Sequence, residues 1–329
     1  MSRKEIQFSS KELTEQIDSF ASRGITELVV HDRNLSRNRE AVISLCRKIS
    51  EHDSELFLSI PVEVGIIDAS LIQAVQEIYC SLEIPLKPCV KGTALLFDKK
   101  FFSSRIEKLN RAELVFGFDM DFASCSADTY KAFRDRLDFA ISLYPNHIDF
   151  EQLELSQKLP QSTAFYSSRD IECSRDIAFA CAVFYSEGRA VPWFNPVIKA
   201  LKISPSAFLA DFAEWQRCNN CSIDSSFKLE EAVHEDIEKM QLLFLQEKFE
   251  EKKKRELFTA VSDIVRLNGA MSRALSDGLE SIVETSYSPD DVFSSSAFDI
   301  QRFCDSVTME NTRTKIFLTP EGPDYRILQ

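Results

Sequence analysis

Between Glu27 and Phe150 the spacing of apolar residues switches repeatedly between two and about 3.6, and no other feature restricts the fold of this sequence as strongly. The strand-like runs are ELVVHD (27–32), LFLSIPVEV (56–64), LEIPL (82–86), LVFGFDMDF (114–122) and HIDFEQLEL (147–155). Helical stripes lie between them: Val42, Leu45, Cys46 and Ile49; Leu71, Ile72, Val75 and Ile78; a helix around Phe101 to Leu109; and one from Asp128 to Leu143. Strands alternating with helices at this spacing predict right-handed βαβ units and a parallel sheet. The expected fold class is α/β, a partial parallel (β/α) barrel of the TIM type over residues 1–165.

The array opens on a helix. Ser9 or Ser10 is placed to cap it, Leu13, Ile17 and Phe20 share one face, and Gly24 is placed to end it. A crossover helix should join two strands, so one strand is expected to be missing in front. That would leave an unpaired edge beside Glu27–Asp32, and such edges invite pairing. The expected cover is the helical domain, the terminal strands Lys315–Leu318 or Tyr325–Leu328, or a second chain.

From about Ser167 the pattern becomes helical, giving an expected second domain over 166–329. DIAFACAVFYSEG and PSAFLADFAEWQR read as amphipathic helices, the latter capped by Ser204 with Pro205 at its first position. Residues 228–269 read as a long helical stretch broken or ended near Gly269, with Glu250–Glu256 as a solvated face. TKIFLTPEGPDYRILQ predicts two short strands around a Glu-Gly-Pro-Asp turn.

Composition narrows the function. A formal charge of −13 argues against nucleic acid and anionic membranes, which require basic surface. The first fifteen residues carry no apolar leader, and no run approaches the roughly 20 apolar residues of a membrane span, so the expected location is cytoplasmic. Nine cysteines scattered through helix- and strand-like segments read as reduced core thiols. Only 8 glycines occur among 329 residues, which leaves few places for a loop that cradles phosphate or cofactor.

Several residues are candidates for chemistry. His31, Asp32, Glu63, Asp119 and Asp121 fall on or after predicted strands, where parallel barrels bind ligands; strand-end Asp residues also cap helices. Glu83, Glu151 and His147 occupy comparable positions, whereas His52 and His234 do not. Strand alternation places Asp119 and Asp121 on one face. Cys218-Asn219-Asn220-Cys221 has the spacing of a zinc or redox pair but lacks the second ligand pair of a structural site, and it follows a helix instead of opening one.

Residues from about Lys4 to Phe165 resemble the radical S-adenosylmethionine (radical SAM) barrel, specifically the cobalamin-binding branch that includes anaerobic magnesium-protoporphyrin cyclase-like proteins. FSSKELTEQIDSFASRGITELVVHDRNLSRNREAVISLCRKI looks like that family's first helix, second strand and following helix. VFGFDMDFASCSADTYKAFRDRLDFAISLYPNHIDFEQLELSQKLPQST looks like its strand, Gly-Leu-Pro-Gly turn, helix ending in Leu-x-Pro-Asn, strand and Leu-Pro-Gly-Thr. FNPVIKALKISPSAFLADFAEW is similar to helical material found after such barrels.

The departures are as informative. The family's Cys-x-x-x-Cys-x-x-Cys, which holds the iron-sulfur cluster that activates the cofactor, has no counterpart among these cysteines. Ala123-Ser124-Cys125-Ser126 replaces the glycine-rich turn, and PLKPCVKGT replaces a Gly-x-Gln-Ser-like cofactor contact. No cofactor is expected for this chain, and S-adenosylmethionine with a cluster only if another chain completes the site. The first expectation is a non-catalytic binding or scaffold protein with a protein partner, or a second copy of itself, at the Glu27–Asp32 edge. The alternatives are the C-terminal part of a split cobalamin-dependent enzyme, and a cluster-free barrel enzyme that uses the strand-end carboxylates with His31.

Overall fold

The computed structural model describes residues 16, 19–20, 23–32, 34–51, 56–87, 90–91, 94–95, 98–153 and 158–328. His52, Leu13, Ile17 and residues 154–155 of the fifth expected strand lie outside these. The chain divides into two compact units, 1–120 and 121–329. The expected boundary at 165 rests on the change to a helical pattern near Ser167 and stays an expectation.

The first unit alternates strand and helix: β1 (Glu27–Val29), α1 (Arg39–Ser50), β2 (Phe57–Pro61), α2 (Ala69–Val75), β3 (Cys80–Pro85), α3 (Lys99–Arg111) and β4 (Phe116–Met120). Each strand pairs in parallel with the next, with Leu28 opposite Leu58, Ile60 opposite Leu82, and Ile84 opposite Phe118. This is the parallel α/β array that the alternation predicts. Leu58, Ile60, Leu82, Ile84, Phe116, Phe118 and Met120 are wholly buried, and the α1 stripe Val42, Leu45, Cys46 and Ile49 is buried with them. Fully burying such a side chain contributes about 1.5–3 kcal/mol.

Helix starts in this unit are set by side chains that replace missing backbone partners. Asn38, Asp68 and Asp98 accept the N–H of Ala41, Leu71 and Phe101 at the N-caps of α1, α2 and α3. At the entrance Gly24 adopts φ +70, and the Ile25 N–H reaches the Phe20 carbonyl at 3.0 Å. That left-handed turn is the expected helix stop. β2 ends at Pro61, short of the expected Val64, because Val64–Ile66 close into a 3-10 turn.

The second unit holds α4 (Tyr130–Ser142), β5 (His147–Phe150), α5 (Ser168–Cys181), α6 (Phe194–Leu201), α7 (Pro205–Cys218), α8 (His234–Glu251), α9 (Phe258–Asp277), β6 (Ser281–Thr285), α10 (Ile300–Ser306), β7 (Thr312–Thr319) and β8 (Gly322–Leu328). All five expected strands of the alternating region are thus present across the two units. Ser204 caps α7 and Pro205 begins it, as expected. The core centres on the Phe184 ring, which meets Trp193, Phe194, Phe208, Phe212 and Phe244 edge-on at 4.8–6.1 Å between centroids. Edge-on pairs let the positive rim of one ring meet the negative face of the next.

Phe184 lies in a π-helical segment, Ala182–Glu187, that continues α5. Gln241 of α8, wholly inside the protein, donates through Nε2 to the carbonyls of Phe184 at 2.8 Å and Gly188 at 2.9 Å.

Three sequence expectations are corrected here. The long helical stretch breaks at Lys253, whose φ of +57 turns the chain, so part of Glu250–Glu256 forms the break. Gly269 instead sits inside α9, where an added Cβ would lie 2.0 Å from Glu238 Oε2; the helix ends at Gly278, with φ +65. In the terminal hairpin the turn is Pro320–Glu321, and Gly322 already pairs with Thr319. β7 is also paired with β6, a strand absent from the sequence expectation, so the terminal strands form their own antiparallel sheet in the order β8-β7-β6.

Candidate functional site

The turn Phe122–Thr129 is a built polar centre. Ala123 adopts φ +52, the left-handed region a glycine would occupy without strain. Its N–H donates to Asp128 Oδ2 at 3.0 Å, while Asp128 Oδ1 accepts the Thr129 N–H at 3.0 Å. Arg136 of α4 closes the other side of the same carboxylate, donating at 3.0 Å and 3.2 Å in a two-pronged pair. One of its amines also donates to the Asp121 carbonyl at 2.8 Å. Asp128 is 0% and Arg136 2% exposed. The buried Arg136 Nε, by contrast, has no hydrogen-bond partner among the described residues.

The wall of this turn is equally fixed. Gln152 Nε2 donates to the Phe122 carbonyl at 3.2 Å. The buried Tyr166 hydroxyl lies 2.5 Å from Ser174 Oγ, and burial pushes the phenol above its ordinary range. Sequence reasoning missed Asp128, Arg136 and Tyr166. One signal was present: Arg136 stands inside the apolar stripe Phe133, Leu137, Ala140 and Ile141, where a cation implies a buried partner.

The residues singled out from sequence lie in varied surroundings. His31 and Asp32 are exposed, and Asp32 Oδ1 accepts the Asn34 N–H at 2.8 Å. Glu63 accepts from Arg37 Nε at 3.2 Å, and Asp119 pairs with Lys87 at 2.8 Å. Asp121 is buried, with a carboxylate oxygen 3.8 Å from Arg136. The expected shared face of Asp119 and Asp121 is not governed by strand alternation, since β4 ends at Met120. His147 Nε2 lies 3.4 Å from Asp149 Oδ2, two residues along β5.

Cys218 and Cys221 flank a helix cap. Asn220 takes φ +57, the Cys221 N–H donates to the Gln216 carbonyl at 2.9 Å, and the Asn220 N–H to Arg217 at 3.4 Å. These are the two bonds of a Schellman ending for α7. Cys221 points inward and Cys218 outward.

A second polar cluster joins α8 and α9. Arg273 Nη1 donates to Glu238 Oε2 at 2.7 Å and to His234 Nδ1 at 2.9 Å. Arginine only donates, so Nδ1 is the acceptor and the ring proton sits on Nε2. Burial, with Arg189 and Arg273 nearby, lowers the His234 pKa to about 4, and burial raises that of Glu238.

An iron-sulfur cluster needs several thiolates facing one space. Among the described residues no three cysteine sulfurs lie within 4.8 Å of one another. Burial pushes Cys46 up to about 11 and Cys80 up to about 12, and raises Cys181 and Cys221 as well.

No protein-family model matches the sequence, and no curated protein does. Among solved structures the chain is similar to TsrM, a radical S-adenosylmethionine methyltransferase from Kitasatospora setae. One structure has cobalamin and a 4Fe-4S cluster bound, with 14% identity and a TM-score of 0.36. The other, with tryptophan substrate and a SAM analog, gives the same identity and TM-score. Each match covers 44% of this chain and 31% or 30% of that chain, so this chain spans under a third of TsrM. The likeness is a distant one. No helix among the described residues is long and apolar enough to cross a membrane.

Proposed function

We propose that this chain is a radical-SAM-like barrel relative that binds a protein partner and carries out no radical chemistry of its own. The observation that supports this reading is the Asp128 carboxylate. It takes the Ala123 and Thr129 N–H groups and the Arg136 guanidinium, the donors that an anionic cofactor group would need at such a turn. An internal anion occupies the place of an external one. The partner-binding element in this reading is the β1 edge, where Glu27 and Val29 are exposed.

Anaerobic incubation with iron and sulfide, followed by desalting, tests the proposal. The expected result is no retained iron and no heat of S-adenosylmethionine binding by calorimetry. Retention of roughly four irons per chain, the content of one cubane cluster, overturns it.

A further inference from the structure

β8 is an edge strand. Among the described residues its strand neighbour is β7 on one side, and no strand covers the other. Antiparallel ladders alternate, so residues that face their partner are followed by residues whose N–H and C=O face away. The Pro320–Glu321 turn makes Thr319 and Gly322 the closing pair, which turns the backbone groups of Pro323, Tyr325 and Ile327 to the open side. Two observations agree with this phase. Pro323 has no N–H to waste there, the usual reason proline is tolerated on an edge. The Tyr325 N–H donates to the Asp324 side chain at 2.8 Å.

The side chains on this edge are arranged for one particular partner. Asp324 and Arg326 are exposed on one face, and Arg326 makes no ion pair among the described residues. On the other face Ile327 is 41% exposed, and Leu318 of β7, opposite Pro323, is 48% exposed. We propose that β8 pairs antiparallel with β8 of a second copy of this chain about a two-fold axis at Tyr325, joining two three-stranded sheets into one of six strands.

Charge selects both the partner and the register. With Tyr325 opposite Tyr325 of the second copy, Asp324 lies opposite Arg326 and Arg326 opposite Asp324, two ion pairs on the same face. Sliding one copy to the neighbouring hydrogen-bonded registers puts Asp324 opposite Asp324, or Arg326 opposite Arg326. Like charges directly opposite are destabilising, so the side chains reject both slips. The central Tyr325 pair exchanges two N–H to carbonyl bonds, and Ile327 donates to the Pro323 carbonyl on each flank. Forming the ladder moves the Tyr325 N–H from the Asp324 carboxylate to a carbonyl of the second copy, which frees that carboxylate for Arg326. Ile327 gains cover from Pro323. The result is a closed, isologous dimer, not an open fibre.

Charge reversal tests this on the full chain. Sedimentation over a concentration series should show a monomer-dimer equilibrium. Arg326→Asp, which sets two carboxylates against each other twice, should weaken it by roughly tenfold or more, and Asp324→Arg combined with Arg326→Asp should restore it. Both positions are exposed, so circular dichroism should be unchanged. Tyr325→Cys should yield a disulfide-linked dimer on mild oxidation, since opposed residues there lie about 5.5 Å apart between Cα atoms, within disulfide reach. A chain that stays monomeric at every concentration overturns the proposal. So does a double variant that fails to recover the dimer, or a Tyr325→Cys variant that forms no more crosslink than the native chain.

Discussion

Arg136 and Arg273 are both buried, each on a helix and each against a carboxylate, yet they hold different kinds of structure. Arg136 grips Asp128, eight residues earlier, and both Asp128 oxygens also accept backbone N–H groups of the same turn. Every bond of that centre closes one local loop. Arg273 joins separate helices, sharing one amine between Glu238 and His234, a ring that must stay neutral to accept it. The first arrangement is a fixed frame; the second depends on where protons sit. Burial alone thus says little about what an ion pair does, and the identity of its third partner decides.

The sharpest way to break the first centre is Arg136→Ala. It strands Asp128 without its cation and should cost about 3–5 kcal/mol in urea unfolding. Asp128→Asn leaves Arg136 without its anion and turns an amide NH2 toward the Thr129 and Arg136 donors, so it should cost a comparable amount.

The second centre should be broken by acid. His234 titrates at about 4 in the folded chain against an ordinary 6.5. The unfolded chain therefore binds more protons between those values. Its contribution, up to about 3 kcal/mol, is present above pH 6.5 and lost as pH falls toward 4. Asp263 works with the opposite sign. Its carboxylate accepts the N–H of Ser286 at 2.7 Å and of Tyr287 at 3.0 Å. Burial raises its pKa to about 6 from 3.8, so stability falls as pH rises through that window. His234→Gln should therefore unmask a stability that declines between about pH 4 and 6, measured as the urea midpoint against pH.

Gly269→Ala sharpens the comparison from the packing side. A methyl group 2.0 Å from the Glu238 carboxylate must displace the residue that anchors Arg273. The expected loss is about 1–3 kcal/mol by thermal unfolding. The smallest effect is expected at the turn itself. Ala123→Gly relieves a left-handed alanine and should stabilise by no more than about 1 kcal/mol, seen as a slight rise in Tm.

How far the sequence revealed this molecule follows from what periodicity measures. β3 and β4 were readable because strands buried on both faces give long apolar runs, and β2 and the α1 stripe because their buried residues recur at the strand and helix periods. Gly24 and the Ser204-Pro205 start were readable because caps are local chemistry. The break at Lys253 was not, since nothing in a mixed-charge run marks which lysine will turn left-handed. β6 was passed over because only Val283 and Thr285 of its five residues face inward. The candidate site was half legible: a turn without glycine at Ala123–Ser126 was plain, but the Asp128–Arg136 pair that fills it could be inferred only from a charge standing in an apolar stripe. The Cys218–Cys221 spacing could not tell a metal pair from a helix end, because the Schellman cap at Asn220 puts one cysteine at the last helical turn and the next three residues on.

The π-helical segment at Ala182–Glu187 carries one further consequence. A π turn holds more residues than an α turn, and each residue of an α-helix advances the direction of its side chains by about 100°. The segment works like a vernier: α5 presents one face to its surroundings before Ala182 and a rotated one after it, which turns Phe184 into the aromatic core. Deleting one residue there would restore an α-helix and rephase everything downstream. Phe184 would then point elsewhere, and Gln241 would be left without the two carbonyls it holds. In this part of the chain, length is as specific as composition.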